Sequence, residues 1–488
     1  MFLLVALMGN GGNHLLDYAS SELYWKSKGV AVGVESMLAE LKPADKVDAA
    51  ELIRQLASPD PEVRQQAAKG ILQKGKETIP QLEEATKAAD PQLAAAAKNL
   101  IAELSLSGKA AEVRRLMAIR TLGEIKRAEA MPTLKSLADS KEVLVAEYAR
   151  RAIASVEGKA YEIALPAVEL RRTDVMLLPA ECRAVLQQSA AGAQTMSFDR
   201  LVNDLDVPAE MQLNKAEILE KITSQVISIA EQTGDMRIDT ITVGVSGDIG
   251  DNAGFVVAVV RGQYDARAAT ATLQRLGVPM KNVGGADVFS PDSHAALIPA
   301  SNDRFILLAG PKLEAVPLEA MATAITANKG GLAAEKEMTS LIDTVDTTQA
   351  LWGVMKVTDT YRQAPPLAPF DWLTLVGRQK DQTLGIQIDA KGADANKIAD
   401  AVAEVNRTVQ QALAELKPMA EQMKMLKPVA DFLESIRCTS EGGKASLTAS
   451  LKASPSLLMG VPMMIGLRGA PAQADVQPPP VQPVPPQQ

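Results

Sequence analysis

From Asp48 to about Gly158 the apolar residues recur at three- and four-residue steps, the period of helices with one buried face. Leu52, Ile53 and Leu56 share a face, and Val63, Ala67, Ile71 and Leu72 continue the pattern. Asp60-Pro61 and Asp90-Pro91 mark helix starts, because a first-turn N–H has no intrahelical partner and proline loses nothing there. After Gly158 the pattern changes. Runs rich in Val, Ile and Leu, bounded by Gly, Asp and Pro, predict strands over Ile238–Ser246, Phe255–Arg261, Ala295–Pro299 and Arg304–Ala309. A helix over Asp265–Leu276, stopped by Gly277, separates the second from the third. Further on, Leu351–Val357, Leu373–Gly377 and Leu384–Ala390 read as strands. A long helix from about Asp394 to Leu416 and a helical stretch reaching Leu433 follow. Ser435–Thr439 and Ala445–Leu451 then flank Glu441-Gly442-Gly443 as a hairpin. Strands, a helix and a strand pair occur in both halves, which points to a degenerate duplication of an α+β module with mostly antiparallel sheets.

The helical segment is itself repetitive. Glu62-Val63-Arg64 recurs as Glu112-Val113-Arg114, and Ile79-Pro80-Gln81-Leu82 as Met131-Pro132-Thr133-Leu134. Ala68 matches Ala118, Leu72 matches Leu122, Ala97 matches Ala149 and Ile101 matches Ile153. Two units of this kind cannot bury their apolar faces singly, so they stack and are capped by neighbouring segments. The acidic-Pro helix start, the Val-Arg pair and the small-residue spine of Ala67, Ala68, Ala97 and Ala149 resemble the HEAT-like repeat family, including its shorter phycobilin-lyase type. The resemblance covers residues 47–158 and implies a protein-binding surface. A structural brace for the next domain is the competing reading.

The expected fold class is therefore multi-domain α+β, a short HEAT-like helical array followed by a duplicated, mostly antiparallel α/β-sandwich-like region. The expected units are an N-terminal apolar or helical segment (1–46), the helical repeats (47–158), a first α+β module (159–345), a second (346–453) and an apolar segment with a Pro-rich tail (454–488).

The two ends bear on location. Met1–Met8 is apolar and followed by Gly9-Asn10-Gly11-Gly12-Asn13, which reads either as the remnant of a secretory signal or as a buried N-terminal strand or helix start. A phosphate-loop reading fails, since His14 stands where a third glycine is needed and no Gly-Lys-Ser/Thr follows. At the other end, Leu457–Leu467 is apolar but too short to span a bilayer, and the tail beyond Ala470 has a polyproline composition. Gly250–Val257 resembles tracts in large bacterial envelope proteins and carries no catalytic residues.

Composition narrows the chemistry. A net charge of -8 argues against nucleic acid as a partner, and the short basic pairs Arg150-Arg151 and Arg171-Arg172 read as solvated element ends. Two cysteines, Cys182 and Cys438, exclude a disulfide framework and read as small half-buried residues. The two histidines, His14 and His294, argue against a histidine-based metal site. Asp248, Asp251 and Asn252 could ligate calcium, but this is also the composition of a plain turn. Ser293-His294 beside Asp287 and Asp292 lacks a nucleophile elbow and reads as surface. Asn406-Arg407-Thr408 matches a glycosylation pattern inside a predicted helix, and Trp352 and Trp372 read as core or sheet-edge packing.

No catalytic, cofactor-binding or metal-binding residue is assigned, and no cofactor is expected. The reading is a non-enzymatic interaction or scaffold protein of the bacterial cell envelope, exported rather than cytoplasmic, binding another protein through the helical segment. Membrane association stays open. The alternatives are a carbohydrate-active hydrolase using scattered Asp and Glu residues, which requires two carboxyls facing each other across a cleft, and a purely structural protein.

Overall fold

The computed structural model describes residues 14–42, 49–74, 78–106, 109–159, 161, 163, 166–190, 214–246, 254–311, 317–380, 383–422 and 426–452. Met1–Met8, Gly9–Asn13, the Asp248, Asp251 and Asn252 loop, Leu457–Leu467 and the Pro-rich tail lie outside the described residues.

The N-terminal part is helical: α1 (Ser21–Ser27), α2 (Val34–Glu40), α3 (Ala50–Gln55), α4 (Pro61–Lys74), α5 (Ile79–Ala85), α6 (Pro91–Leu106), α7 (Ala110–Ile125), α8 (Met131–Ala138) and α9 (Val143–Val156). Asp60 and Asp90 cap α4 and α6, each accepting from the backbone N–H two residues on at 2.8 Å. The sequence repeat maps onto structure: α4, α5 and α6 correspond to α7, α8 and α9, and the matched pairs Leu82 with Leu134 and Ala97 with Ala149 are fully buried. The first unit encloses its own core of Ile53, Leu56, Ala67, Ile71, Leu82, Ala97, Leu100 and Leu104. The second shares a core with the N-terminal Leu16, Tyr24, Trp25 and Met37. Helices α7 and α9 approach closely because Gly123 has no side chain: a Cβ there would lie 2.7 Å from Ala152 Cα and 2.9 Å from its Cβ. Gly123→Ala must therefore push the pair apart, and we expect a loss of about 1–3 kcal/mol from this overpacking. Urea unfolding measures it, and an unchanged midpoint would mean that the pair separates freely.

The sheet part begins with α10 (Val168–Met176) and β1 (Cys182–Ser189), followed by α11 (Lys215–Thr233), β2 (Arg237–Ser246), β3 (Val256–Gln263), α12 (Ala266–Arg275), β4 (Met280–Val283), β5 (Ala286–Phe289), β6 (Ala295–Ser301) and β7 (Arg304–Ala309). Next come α13 (Leu318–Ala327), α14 (Lys336–Ile342), β8 (Leu351–Lys356), β9 (Trp372–Lys380), β10 (Thr383–Lys391), α15 (Ala395–Gln422), α16 (Lys427–Ser435), β11 (Arg437–Glu441) and β12 (Lys444–Lys452). Side-chain caps start three of these helices, Asn214 at α11, Asp265 at α12 and Asp394 at α15. The β11–β12 hairpin turns on Gly442, whose φ of 56° favours glycine.

All twelve strands form one antiparallel sheet, ordered β11-β12-β10-β9-β8-β1-β2-β3-β7-β6-β5-β4. The two halves read outward from the centre in the same order. β1-β2-β3-β7-β6 is matched by β8-β9-β10-β12-β11, and in both a helical crossover joins the third strand to the outermost of the five. Strand order and direction are those of two copies related by a local two-fold axis through the sheet between β1 and β8, whose register is Leu186 opposite Gly353. The duplicated module expected from sequence is thus a single shared sheet. The β4–β5 hairpin and α11 are additions confined to the first copy.

Strand alternation splits the core. Val257, Val259, Ile306, Leu308, Trp352 and Val354 point to one face, where α10, α13 and α14 supply Val175, Met321, Met338 and Ile342. Ile241, Val243, Ala258 and Val260 point to the other. On that second face α15 contributes Ile398 and Val402 against Leu373, Ala390 and Ala445.

The strand predictions omit β1, which occupies the middle of the sheet. Gln187, Gln188 and Ser189 hide it from a hydrophobicity pattern, because Gln187, which is hydrogen-bonded to polar partners, and Ser189 are polar yet buried.

Candidate functional site

Where the helical part meets the sheet, a cluster of ionised side chains is closed off from solvent. Its centre is His14, fully buried, on a segment bridged antiparallel to Arg237 at the start of β2. His14 Nδ1 lies 2.7 Å from Asp235 Oδ2, and Nε2 lies 3.0 Å from Glu147 Oε1 on α9. Asp235 also accepts from Tyr148 Oη at 2.9 Å and from the Leu16 N–H at 3.0 Å. Glu147 Oε2 accepts from Arg237 Nη1 at 2.6 Å, and Arg237 in turn reaches Asp239. Asp17 accepts from the His14 backbone N–H at 3.1 Å and takes both carboxylate oxygens to Arg151 Nη2 at 2.9 Å. Arg120 donates to the Leu16 carbonyl. The Tyr148 ring meets His14 edge-on at 4.8 Å. Three elements distant in the chain (the 14–17 segment, α9 and the approach to β2) are thereby tied together.

The electrostatics follow from burial opposed by charge. Burial disfavours an imidazolium, but the Asp235 carboxylate, with hydrogen bonds to Asp235 and Glu147, outweighs it and raises the His14 pKa to about 9. Burial likewise disfavours an ionised Glu147, but His14 and Arg237 hold its pKa down at about 2. Asp17 is also held below its usual range, Arg151 overcoming the cost of burial. At neutral pH His14 is a cation between two carboxylates.

This constellation does not suit acid–base chemistry. A general base needs one ring nitrogen facing a reacting proton, and both nitrogens of His14 are committed to carboxylates. Glu147 and Asp235 do face each other, but the imidazole fills the space between them, so no glycoside could lie there. Among the described residues no group of three or more His, Cys, Asp or Glu side chains is placed to hold a metal ion. What the geometry can do is fix the helical part against the sheet.

A second buried ion pair acts within the sheet part. Asp174 on α10 is fully buried and accepts from Arg261 Nε at 2.6 Å and Nη2 at 2.7 Å, a two-point contact that anchors α10 on β3. Arg261 Nη1 also donates to Asp303 Oδ2 at 2.8 Å.

Other sequence expectations sort as follows. His294 is exposed, its Nδ1 2.7 Å from the Pro311 carbonyl oxygen. Asn406 lies in α15 and donates to the Cys438 carbonyl at 3.0 Å. Trp352 is core, and Trp372 packs partly buried against it. Both cysteines are free. Cys438 is half-buried as expected, but Cys182 is fully buried and its thiol pKa is pushed up to about 12. The basic pairs need correction. Arg150 and Arg172 are exposed, but Arg151 lies inside the His14 cluster and Arg171 is 2% exposed. Each pair sits on a helix, where successive side chains point about 100° apart, so one partner faces inward. His14, Glu147, Asp235 and Arg237 carried no local signal, being joined only by folding across 133 and 221 residues.

Among the described residues, no helix is long and apolar enough to cross a membrane. No protein-family description matches the chain, and no curated protein matches it. Solved structures of a protein designated TP0453 align with it at 11% identity. Crystal form III gives a TM-score of 0.34, with 58% of this chain and 96% of that one covered. Crystal form I gives 0.31, with 62% and 99% covered. Similarity at that level assigns neither fold nor role.

Proposed function

We propose that the chain is a non-enzymatic interaction or scaffold protein of the bacterial envelope, which presents its HEAT-like helical array to another protein while the sheet acts as its base. The observation that carries this reading is the His14 cluster. Buried charges spent on joining two parts make a rigid mount, and a rigid mount lowers the entropy cost of binding through the mounted surface. The α3–α6 unit encloses its own core and is the part of the array offered to the partner. Envelope location rests on the apolar start and the Pro-rich tail of the sequence.

The test is photo-cross-linking of the full chain in its own cells, with the reactive residue at exposed Gln66 on α4 or Asn99 on α6, and at exposed Thr448 on β12 as a comparison. The expected result is one envelope protein captured from both helical positions and not from Thr448. Equal capture from all three positions, or none from the helices, would overturn the proposal.

A further inference from the structure

The sheet face opposite α10 carries one unbroken apolar row across both copies. Ala258, Val243 and Leu186 lie side by side in the first copy. The row runs on through Gly353 into Leu375, Ile388 and Leu447 in the second. The local two-fold matches Val243 with Leu375 and Ala258 with Ile388, yet the two copies are covered differently. Val243 is 7% exposed and Ala258 is fully buried, whereas Leu375 and Ile388 are only half-buried. β10 shows how open the second copy is. A strand with one covered face alternates in exposure, but residues 383–389 are half-buried throughout. Leu384, Ile386 and Ile388 thus have the same partial exposure as Thr383, Gln387 and Asp389 on the polar face. α15 and α16 shield the outer part of this face, packing on Ala390, Ala445 and Leu451. A continuous apolar surface of this kind is rarely left to water in a folded chain.

The chain itself carries a cover of matching chemistry. β12 leaves the sheet at Lys452, beside Thr383 at the start of β10. After residues 453–456 comes Leu457–Leu467, in which eight of eleven residues are apolar and none is charged. The five steps from Lys452 to Leu457 reach about 17 Å when extended. Neighbouring strands lie about 4.8 Å apart, so β8, three strands from β12, is within that reach. We propose that Leu457–Leu467 folds back over the β8–β9–β10 part of this face, covering Leu351, Leu375, Ile386 and Ile388. Segment and face then leave water together, and the Pro-rich tail projects from the middle of the sheet.

The experiment is photo-cross-linking of the full chain with p-benzoylphenylalanine at Leu375, and at Gln387 on the opposite face for comparison, mapped by peptide mass spectrometry. The expected result is capture of 457–467 of the same chain from Leu375, in a product of monomer mass, and no such capture from Gln387. The reciprocal probe at Val461 lies outside the sheet, captures β8–β10, and decides the matter if the Leu375 variant does not fold. In the native chain, peroxide should oxidise Met459, Met463 and Met464 several-fold more slowly than Met419, which is 51% exposed. Oxidation of those three as fast as Met419 overturns the proposal. So does capture of a second copy or of lipid from Leu375, equal capture from Gln387, or no capture of the sheet from Val461.

Discussion

Replacing His14 by alanine lowers the unfolding free energy at pH 7 by about 3–5 kcal/mol, the range for breaking a buried ion pair by removing one partner. The substitution leaves Asp235 and Glu147 buried without the cation between them, and only Tyr148, the Leu16 N–H and Arg237 remain to compensate. Urea unfolding of the two proteins at pH 7 measures the loss. The pH dependence has a definite sign. The folded-state pKa of about 9 lies above the ordinary 6.5, so the proton binds the folded chain more tightly. The resulting stability is fully present below pH 6.5 and is lost as pH rises through 9, in all about 3 kcal/mol. The alanine variant lacks that alkaline limb. A native protein whose stability, corrected by the variant, stays level between pH 6.5 and 9 would refute a charged His14.

Arg261→Met has an effect of similar size in the other half of the molecule. It strands Asp174, fully buried, with Arg304 at 3.7 Å as the nearest remaining cation. A carboxylate in that position either stays ionised at a cost of several kcal/mol or takes up a proton. We expect a loss of about 3–5 kcal/mol at pH 7, recovered in part by adding Asp174→Asn, which removes the charge but keeps the shape. Comparing the single and double variants in urea decides the matter. A double variant no better than the single one would mean that Arg261 acts through packing alone.

The sequence made the regular parts of this fold legible for a physical reason. Helices α7 and α9 bury consecutive residues, Leu116–Ile119 and Val145–Ala149, but in α4, α5, α6 and α8 one stripe is buried, so apolar spacing reports it directly. The same holds for β2, β3 and β7–β10, where Val, Ile and Leu face at least one packed layer. β1 is the instructive failure. It is the strand on which the two sheet halves join, yet its buried positions include Gln187 and Ser189, and a polar residue in a core looks from sequence like a residue in water. The buried charges fail in the same way. Arg151 and Arg171 read as solvated because their partners or surroundings are assembled from distant elements, and burial of a charge is a property of the assembled site rather than of its neighbours in the chain. The duplication could be suspected from element order, but the common sheet required the β1–β8 pairing, which carries no local signature.

The central claim is that a charged His14 locks the helical part to the sheet, and the imidazole itself reports on it. The chain has only two histidines, so the protein labelled with carbon-13 histidine gives two ring Cε1–Hε1 signals, assigned with His294→Gln. Titrated by NMR, the His14 signal should keep its imidazolium position through neutral pH and move only near pH 9. A His14 signal already at the neutral imidazole position at pH 7 would contradict the account.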